Sequence, residues 1–314
     1  MTSTTSIHSR RPLIYTIVST SAPLEQSSPF SIAILPRGTN PFFTELIEAV
    51  SRFNPEEILI VNARPHHHID TPLRQIWIRE SLQAGELVNI VMEEAKTPFV
   101  FILWNDMIFN AEDVSHHLFL RLEERQDLCA TPQLYNAHGV EIPSLSMPVF
   151  PPNDIFRVLR TSGQNVEEPK TFMPLDFCGV YNRARFLNLG GYDTSITTEY
   201  WQKVEFGLRA AMWGEKIVLN PSLSVSYADA LPVDDESINA STSRFALKTL
   251  SVRMSKKGAY LPRTQLFWLW GEENWLTTFK EIRQWVTQNR FRFKSDAELV
   301  VDGWQSYQSN PIKH

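Results

Sequence analysis

The chain has 314 residues, 43% hydrophobic and 21% charged, globular values that exclude wholesale disorder and fibrous repeats. A net charge of −5, with no Lys/Arg stripe, argues against a nucleic-acid partner. Two cysteines, Cys129 and Cys178, are too few for a disulfide framework or a four-ligand zinc site, and they fit a reducing compartment, the cytoplasm.

Residues 1–29 read as a flexible N-terminal arm, with an extra strand as the alternative. Ser9-Arg10-Arg11 ahead of Leu13–Val18 only loosely imitates a twin-arginine leader, because the apolar part is short. Membrane helices need about 18–20 apolar residues, and the stretch Pro98–Phe109 is shorter and contains Asp106. The 12 glycines form neither a P-loop nor a dinucleotide fingerprint.

From Ser31 the chain alternates short apolar runs with amphipathic stretches. Ser31–Leu35 predicts a buried strand stopped by Pro36 and Gly38, and Phe42–Phe53 a helix ended by Asn54-Pro55. Glu57–Asn62 predicts a second strand, Glu80–Lys96 a helix, and Phe99–Leu103 a third strand running into Trp104-Asn105-Asp106. Such alternation implies crossover connections and a mainly parallel sheet, with ligands gathered at the carboxyl ends of the strands. Thr131–Thr171 has weak periodicity and reads as a long irregular segment.

Order returns at Phe177–Tyr181, then at the turn Gly190-Gly191-Tyr192-Asp193 and the helix Tyr200–Trp213. Lys216–Leu219 predicts a short strand ended by Asn220-Pro221. Beyond Asp234-Asp235-Glu236, Ser241–Lys256 and Trp275–Asn289 predict helices whose tryptophans need burial. Residues 231–314 therefore read as a helical C-terminal extension packed on a core spanning 30–230. The aromatic stretch Phe267–Trp275 reads as packing, with a sugar platform as the alternative.

Four blocks in order resemble the GT-A fold nucleotide-sugar glycosyltransferases, nearest the family-2 group, over Ser31–Tyr227. They are Ser31–Pro36, Glu57–Val61, Asn89 with Phe99–Asp106, and Gly179 followed by the Gly190–Asp193 turn and the helix from Tyr200-Trp201 to Gly214. The last block is the most specific, since it resembles the G-G-F-D and W-E-D-x-D-x-x-x-R acceptor-side signature. The resemblance implies an α/β GT-A fold with a mainly parallel sheet. It further implies a nucleotide-diphosphate sugar as donor, a glycan or other hydroxyl acceptor, and Mn2+ or Mg2+.

Carried over position by position, the resemblance assigns donor binding to Pro36, Arg37, Asn62, Arg64, Asn89, Asn105 and Asp106. It assigns a metal ion to Asp106 and the acceptor side to Asp193 and Trp201. The departures are concentrated at polar positions. The acidic triplet has become Trp104-Asn105-Asp106, the uridine-contacting pair Asn62-Ala63, and the Glu-Asp pair holding the base Gln202-Lys203. The metal-ligand His of some relatives has become Tyr227. Lys203 could supply a cation for the diphosphate, and Glu199 is the nearest spare carboxylate for the base. Glu205, one helical turn before Arg209, is either a structural partner or a catalytic-side group. His66-His67-His68 reads as a surface loop. Two functions stay open: a transferase with a rewired site, metal-dependent or metal-independent, and a catalytically silent relative that binds a nucleotide, a glycan or a partner glycosyltransferase.

Overall fold

The computed structural model describes residues 13–20, 28–38, 44–62, 73–109, 117–152, 155–162, 169–269 and 274–309. Its first half comprises β1 (Tyr15–Thr20), β2 (Ser28–Leu35), α1 (Thr44–Ser51), β3 (Pro55–Val61), β4 (Leu73–Ile78), α2 (Ala84–Glu94), β5 (Phe99–Trp104), β6 (Met107–Phe109) and α3 (His117–Arg125). Then follow β7 (Cys129–Tyr135), β8 (Glu141–Ile142), β9 (Leu145–Val149), β10 (Arg157–Thr161), β11 (Gly179–Asn182), α4 (Arg183–Leu189), α5 (Glu199–Met212) and β12 (Ile217–Tyr227). The chain ends in α6 (Ala240–Lys248), α7 (Trp275–Gln288) and α8 (Ala297–Ser309).

The strands form a mixed sheet in the order β1-β4-β3-β2-β5-β11-β7-β12-β6, with β8 on β7. Strands β4, β3, β2 and β5 pair in parallel, which sets the carboxyl ends of β3, β2 and β5 side by side on one edge. β11 enters antiparallel between β5 and β7. The central strands are wholly buried, as Ile32–Leu35, Ile58–Val61 and Val100–Leu103 show, so their sequences are continuous apolar runs rather than alternations.

Four features depart from the sequence reading. Within 1–29, Tyr15–Thr20 is a strand antiparallel to β4, the extra-strand alternative rather than an arm. β4 itself lacks a clear sequence signature, because Arg74 and Gln75 interrupt its apolar residues. Thr131–Thr171 is not mainly irregular: β7, β8, β9 and β10 lie wholly or partly in it, and Pro132 and Pro148 mask their strand character. β12 runs through Asn220-Pro221 to Tyr227 by shifting register between Asn220 and Ser224.

The turn before α5 is held by buried polar groups. Asn89 on α2 accepts from Tyr192 N at 2.8 Å and donates to Tyr192 O at 2.9 Å, fixing the turn backbone from both sides. Gly191 has φ +65, and a Cβ there would lie 2.4 Å from Asn89 Oδ1, so both conformation and space demand glycine. Arg209 donates to Leu189 O at 2.6 Å and Gly191 O at 2.7 Å while pairing with Glu205 at 2.7 Å.

Lys248 on α6 reaches Glu205 at 3.0 Å and Asp193 at 2.9 Å, and Arg244 reaches Asp193 at 3.2 Å. This network pins α6 onto α5 and the turn. Hydrophobic packing continues the attachment: Trp201 packs on Phe245, Trp213 stacks on Trp285, and Trp304 meets Phe172 edge-on.

Two predictions follow from this network. Burial alone would raise the Asp193 carboxyl, but Lys248 and Arg244 outweigh it and hold it well below the usual range. Its stabilisation is therefore complete above the unfolded carboxyl pKa of about 3.9 and is lost as pH falls through the lower folded value. Asp193→Asn should cost about 3–5 kcal/mol at pH 7, the penalty for stranding buried cations. Urea unfolding at pH 7 and pH 3 should find the gap from wild type narrower at the lower pH. Gly191→Ala should cost at least about 1–2 kcal/mol from the left-handed backbone alone, read from the same urea midpoints at pH 7.

Candidate functional site

Three chain segments leave the sheet together at the carboxyl ends of β3, β2 and β5: Asn62, Pro36-Arg37 and Asn105-Asp106. Asn105 N donates to Leu35 O at 2.9 Å, and Asn105 Oδ1 accepts from Arg37 N at 2.8 Å. These two bonds tie the segment after β2 to the segment after β5. They aim the Arg37 side chain across the strand ends.

The Arg37 guanidinium lies between two carboxylates. Nη1 donates to both Asp106 oxygens at 3.2 and 3.0 Å, and Nη2 to both Asp176 oxygens at 2.6 Å each. The Trp104 ring centroid lies 4.2 Å from Cζ, a cation–π contact. Burial alone would lower the Arg37 pKa, but Asp176 and then Asp106 outweigh it and raise it further, so the side chain is a permanent cation. Burial raises the Asp106 carboxyl above the ordinary range despite the pull of Arg37. Tyr227 donates to Asp176 Oδ2 at 2.7 Å, its phenol pushed well up by burial and then by the Asp176 charge.

Asp176 sits in a short 3-10 turn, Leu175–Phe177, before β11. Asp176 and Phe177 both take left-handed backbone angles, φ 53 and φ 59. Aspartate tolerates that region, whereas for a bulky residue such as phenylalanine it is an outlier that the surroundings must impose. Trp104 Nε1 donates to Asp176 O at 2.7 Å, and Tyr181 Oη donates to Phe177 O at 2.8 Å. Phe177 packs edge-on against Tyr192. The strained turn thus presents the Asp176 carboxylate to Arg37.

A second charged cluster lies on the other side of Phe177. Lys203 Nζ is 5.4 Å from the Phe177 ring centroid and 2.6 Å from Asp234 Oδ1, and Arg160 on β10 also pairs with Asp234. Burial would raise the Asp234 carboxyl, but Lys203 and Arg160 lower it, so it is ionised at neutral pH.

The other expected residues fall into distinct places. Glu199, the first residue of α5, is exposed. Lys203, expected to offer a free cation, is buried and neutralised by Asp234. Glu205 has no solvent-exposed surface and is consumed by Arg209 and Lys248, so it is part of the core rather than a catalytic-side group.

Asp193 is likewise occupied by Lys248 and Arg244 instead of facing an acceptor. Trp201 donates to Ser237 O at 2.9 Å and packs in the interior, anchoring the segment before α6. Asn89 spends its amide on Tyr192, and Asn62 Oδ1 accepts from Ile78 N at 2.6 Å, closing the end of β4. Arg64, His66–His68 and Asn40 lie outside the described residues.

Sequence reasoning passed over Asp176, Asp234 and Arg160. Asp176 had one available signal, its place immediately before a buried strand, the mirror of Asp106 immediately after one. A cavity of about 350 Å³ lies elsewhere, lined by Phe172, Ala210, Lys216 and Trp304 among others, and includes none of the expected site residues.

A divalent ion at Asp106 would need several oxygen ligands free to turn toward it. Both carboxylates present both their oxygens to Arg37, Trp104 offers an aromatic face, and the Tyr227 proton is directed to Asp176. With Arg37 in place, these residues do not fit a divalent ion. Among the described residues, no group of three or more His, Cys, Asp or Glu is placed to hold a metal.

No protein-family model matches the sequence, and no curated protein matches it. Solved structures do resemble it. GalNAc-T7 with UDP, GalNAc and Mn2+ superposes with a TM-score of 0.56 at 13% identity, covering 91% of this chain and 58% of that one. This chain therefore spans less than two thirds of the GalNAc-T7 chain. S. aureus TarS 1-349 with UDP-GlcNAc gives a TM-score of 0.49 at 11% identity, covering 83% and 72% of the two chains. The mannosyltransferase PcManGT from Pyrobaculum calidifontis with GDP-Man and Mn2+ gives 0.46 at 13%, covering 97% and 80%. The parallel strands β4-β3-β2-β5, the antiparallel β11 beside β5 and the likeness to GalNAc-T7 agree: the chain has the GT-A fold of nucleotide-sugar glycosyltransferases.

Proposed function

We propose that the chain transfers a sugar from a nucleoside diphosphate sugar to a hydroxyl acceptor, with a glycan as the expected acceptor class. One observation carries this reading. Arg37 and Asp106 at the carboxyl ends of β2 and β5, and Asp176 before antiparallel β11, converge on the edge where open α/β sheets take their ligands. The UDP and GalNAc bound by GalNAc-T7 support a UDP-linked donor as the first to test.

Transfer requires the acceptor oxygen to attack the anomeric carbon while the bond to the diphosphate breaks. A carboxylate takes the hydroxyl proton, and a cation stabilises the departing diphosphate. Arg37 is the cation at the rim, and Asn105 and Trp104 orient it. Glu199, exposed at the start of α5, is the proton acceptor in this reading. Lys203 is a positioning residue that holds Asp234, since its side chain is buried and turned to that carboxylate, whereas that of Arg37 keeps some exposure. The likeness to family 2 and the altered acidic triplet belong to the same reading, and no second glycosyltransferase enters it. Among the described residues no helix is long and apolar enough to cross a membrane.

The test is a panel of UDP- and GDP-sugars, read by thermal shift and by release of free nucleotide. UDP at 100 times its Kd should stabilise the fold by about 2.7 kcal/mol. Glu199→Gln should slow turnover by about 10²–10⁴-fold with UDP affinity kept. Nucleotide binding without turnover on any acceptor would instead indicate the silent relative, and no binding across the panel would refute both.

A further inference from the structure

The resemblance places a divalent ion beside Asp106, and the structure places a guanidinium there. Arg37 engages both oxygens of Asp106 and both oxygens of Asp176. Every position that the resemblance assigns to the metal's surroundings is turned toward this cation. Trp104 stacks on it, Asp106 pairs with it, and Tyr227 donates to the carboxylate that pairs with it.

We propose that Arg37 is the site's built-in cation: it takes the place of the divalent metal, and the nucleotide sugar binds without one. The identity of the ligand rests on the glycosyltransferase reading above, whereas the replacement of the metal does not.

A metal ion could enter in only two ways. It could displace Arg37, which would break charge-assisted bonds to both carboxylates and the contact with Trp104. Alternatively it could sit beside Arg37, where two cations would share carboxylates that one already fills. The guanidinium also keeps a hydrogen-bonding group in reserve. Its four bonds to Asp106 and Asp176 come from Nη1 and Nη2, leaving Nε–H for a phosphate oxygen. Arginine stays protonated at any working pH, so this cation cannot be removed by chelation.

Two titrations by calorimetry decide the matter, first on wild type. Mn2+ alone should show no stoichiometric binding up to the millimolar range, and the Kd for UDP should agree within twofold in EDTA and in Mn2+. Arg37→Ala, checked for folding by circular dichroism, should free two carboxylates. It should gain at least tenfold in Mn2+ affinity and lose at least tenfold in metal-free UDP affinity. Where that variant does not fold, Arg37→Ala combined with Asp176→Asn relieves the facing charges, and its loss of metal-free UDP affinity is read instead.

One-to-one Mn2+ binding by wild type, or tenfold tighter UDP binding with Mn2+, would overturn the proposal. A folded Arg37→Ala without new Mn2+ affinity would overturn it as well. Wild type that binds neither Mn2+ nor any nucleotide of the UDP and GDP panel, with a variant that gains Mn2+, would sink the glycosyltransferase reading and leave the replacement of the metal standing.

Discussion

A guanidinium clamped between Asp106 and Asp176 is the constraint on which the rest of the site depends. The two carboxylates come from segments 70 residues apart in sequence, one after β5 and the other before antiparallel β11. Two buried carboxylates facing each other would repel and would each lose hydration; a single Arg answers both costs, giving one Nη to each carboxylate. The pairing also explains why Asp176 tolerates a left-handed backbone. The turn is held from below by Trp104 and Tyr181, and its side chain is held from above by Arg37. Strain of this kind, costing about 1–3 kcal/mol per residue, persists only where the surroundings over-determine it.

The same interaction accounts for two side chains that look unrelated in the sequence, Trp104 and Tyr227. A doubly charged ion calls for several carboxylates, whereas a singly charged guanidinium here already has two. Further acids at 104 or a ligating imidazole at 227 would serve no cation here. An indole at 104 and a phenol at 227 suit it instead, one as a π-face and the other as a donor to Asp176. Both side chains thus serve the same guanidinium cluster.

Much of the frame was legible in the sequence because buried parallel strands are short apolar runs with hard stops. Ser31–Leu35 and Phe99–Leu103 fall within observed strands, Glu57–Asn62 overruns its strand by Asn62 alone, and the strand ends locate Arg37 and Asp106. The elements missed are those whose pairing is set by neighbours rather than by their own pattern. β4 carries Arg74 because that side chain bonds Glu57 and Glu94, and β7 and β9 carry prolines. Site roles were less legible for a related reason. Asp193, Glu205 and Arg209 keep the spacing of an acceptor-side signature, yet the cations that hold the two carboxylates from outside it, Lys248 and Arg244, lie 43 to 55 residues further on. Spacing within one helix cannot reveal that a cation arrives from another to consume the carboxylate.

Lys203 and Asp234 show how such long-range partners reshape the chemistry. The resemblance puts Lys203 where a carboxylate base is expected, and the structure pairs it with a carboxylate from the segment before α6, Asp234. With Lys203 and Arg160 both on it, Asp234 is a weaker base than a free carboxylate, and the segment that carries it is tied to α5 and β10. Its charge balances two cations that would otherwise face the interior uncompensated, while Glu199 stays exposed and unencumbered at the helix start. The contrast is physical: the buried carboxylates Asp193, Glu205 and Asp234 are each held by cations, whereas Glu199 lies at the surface.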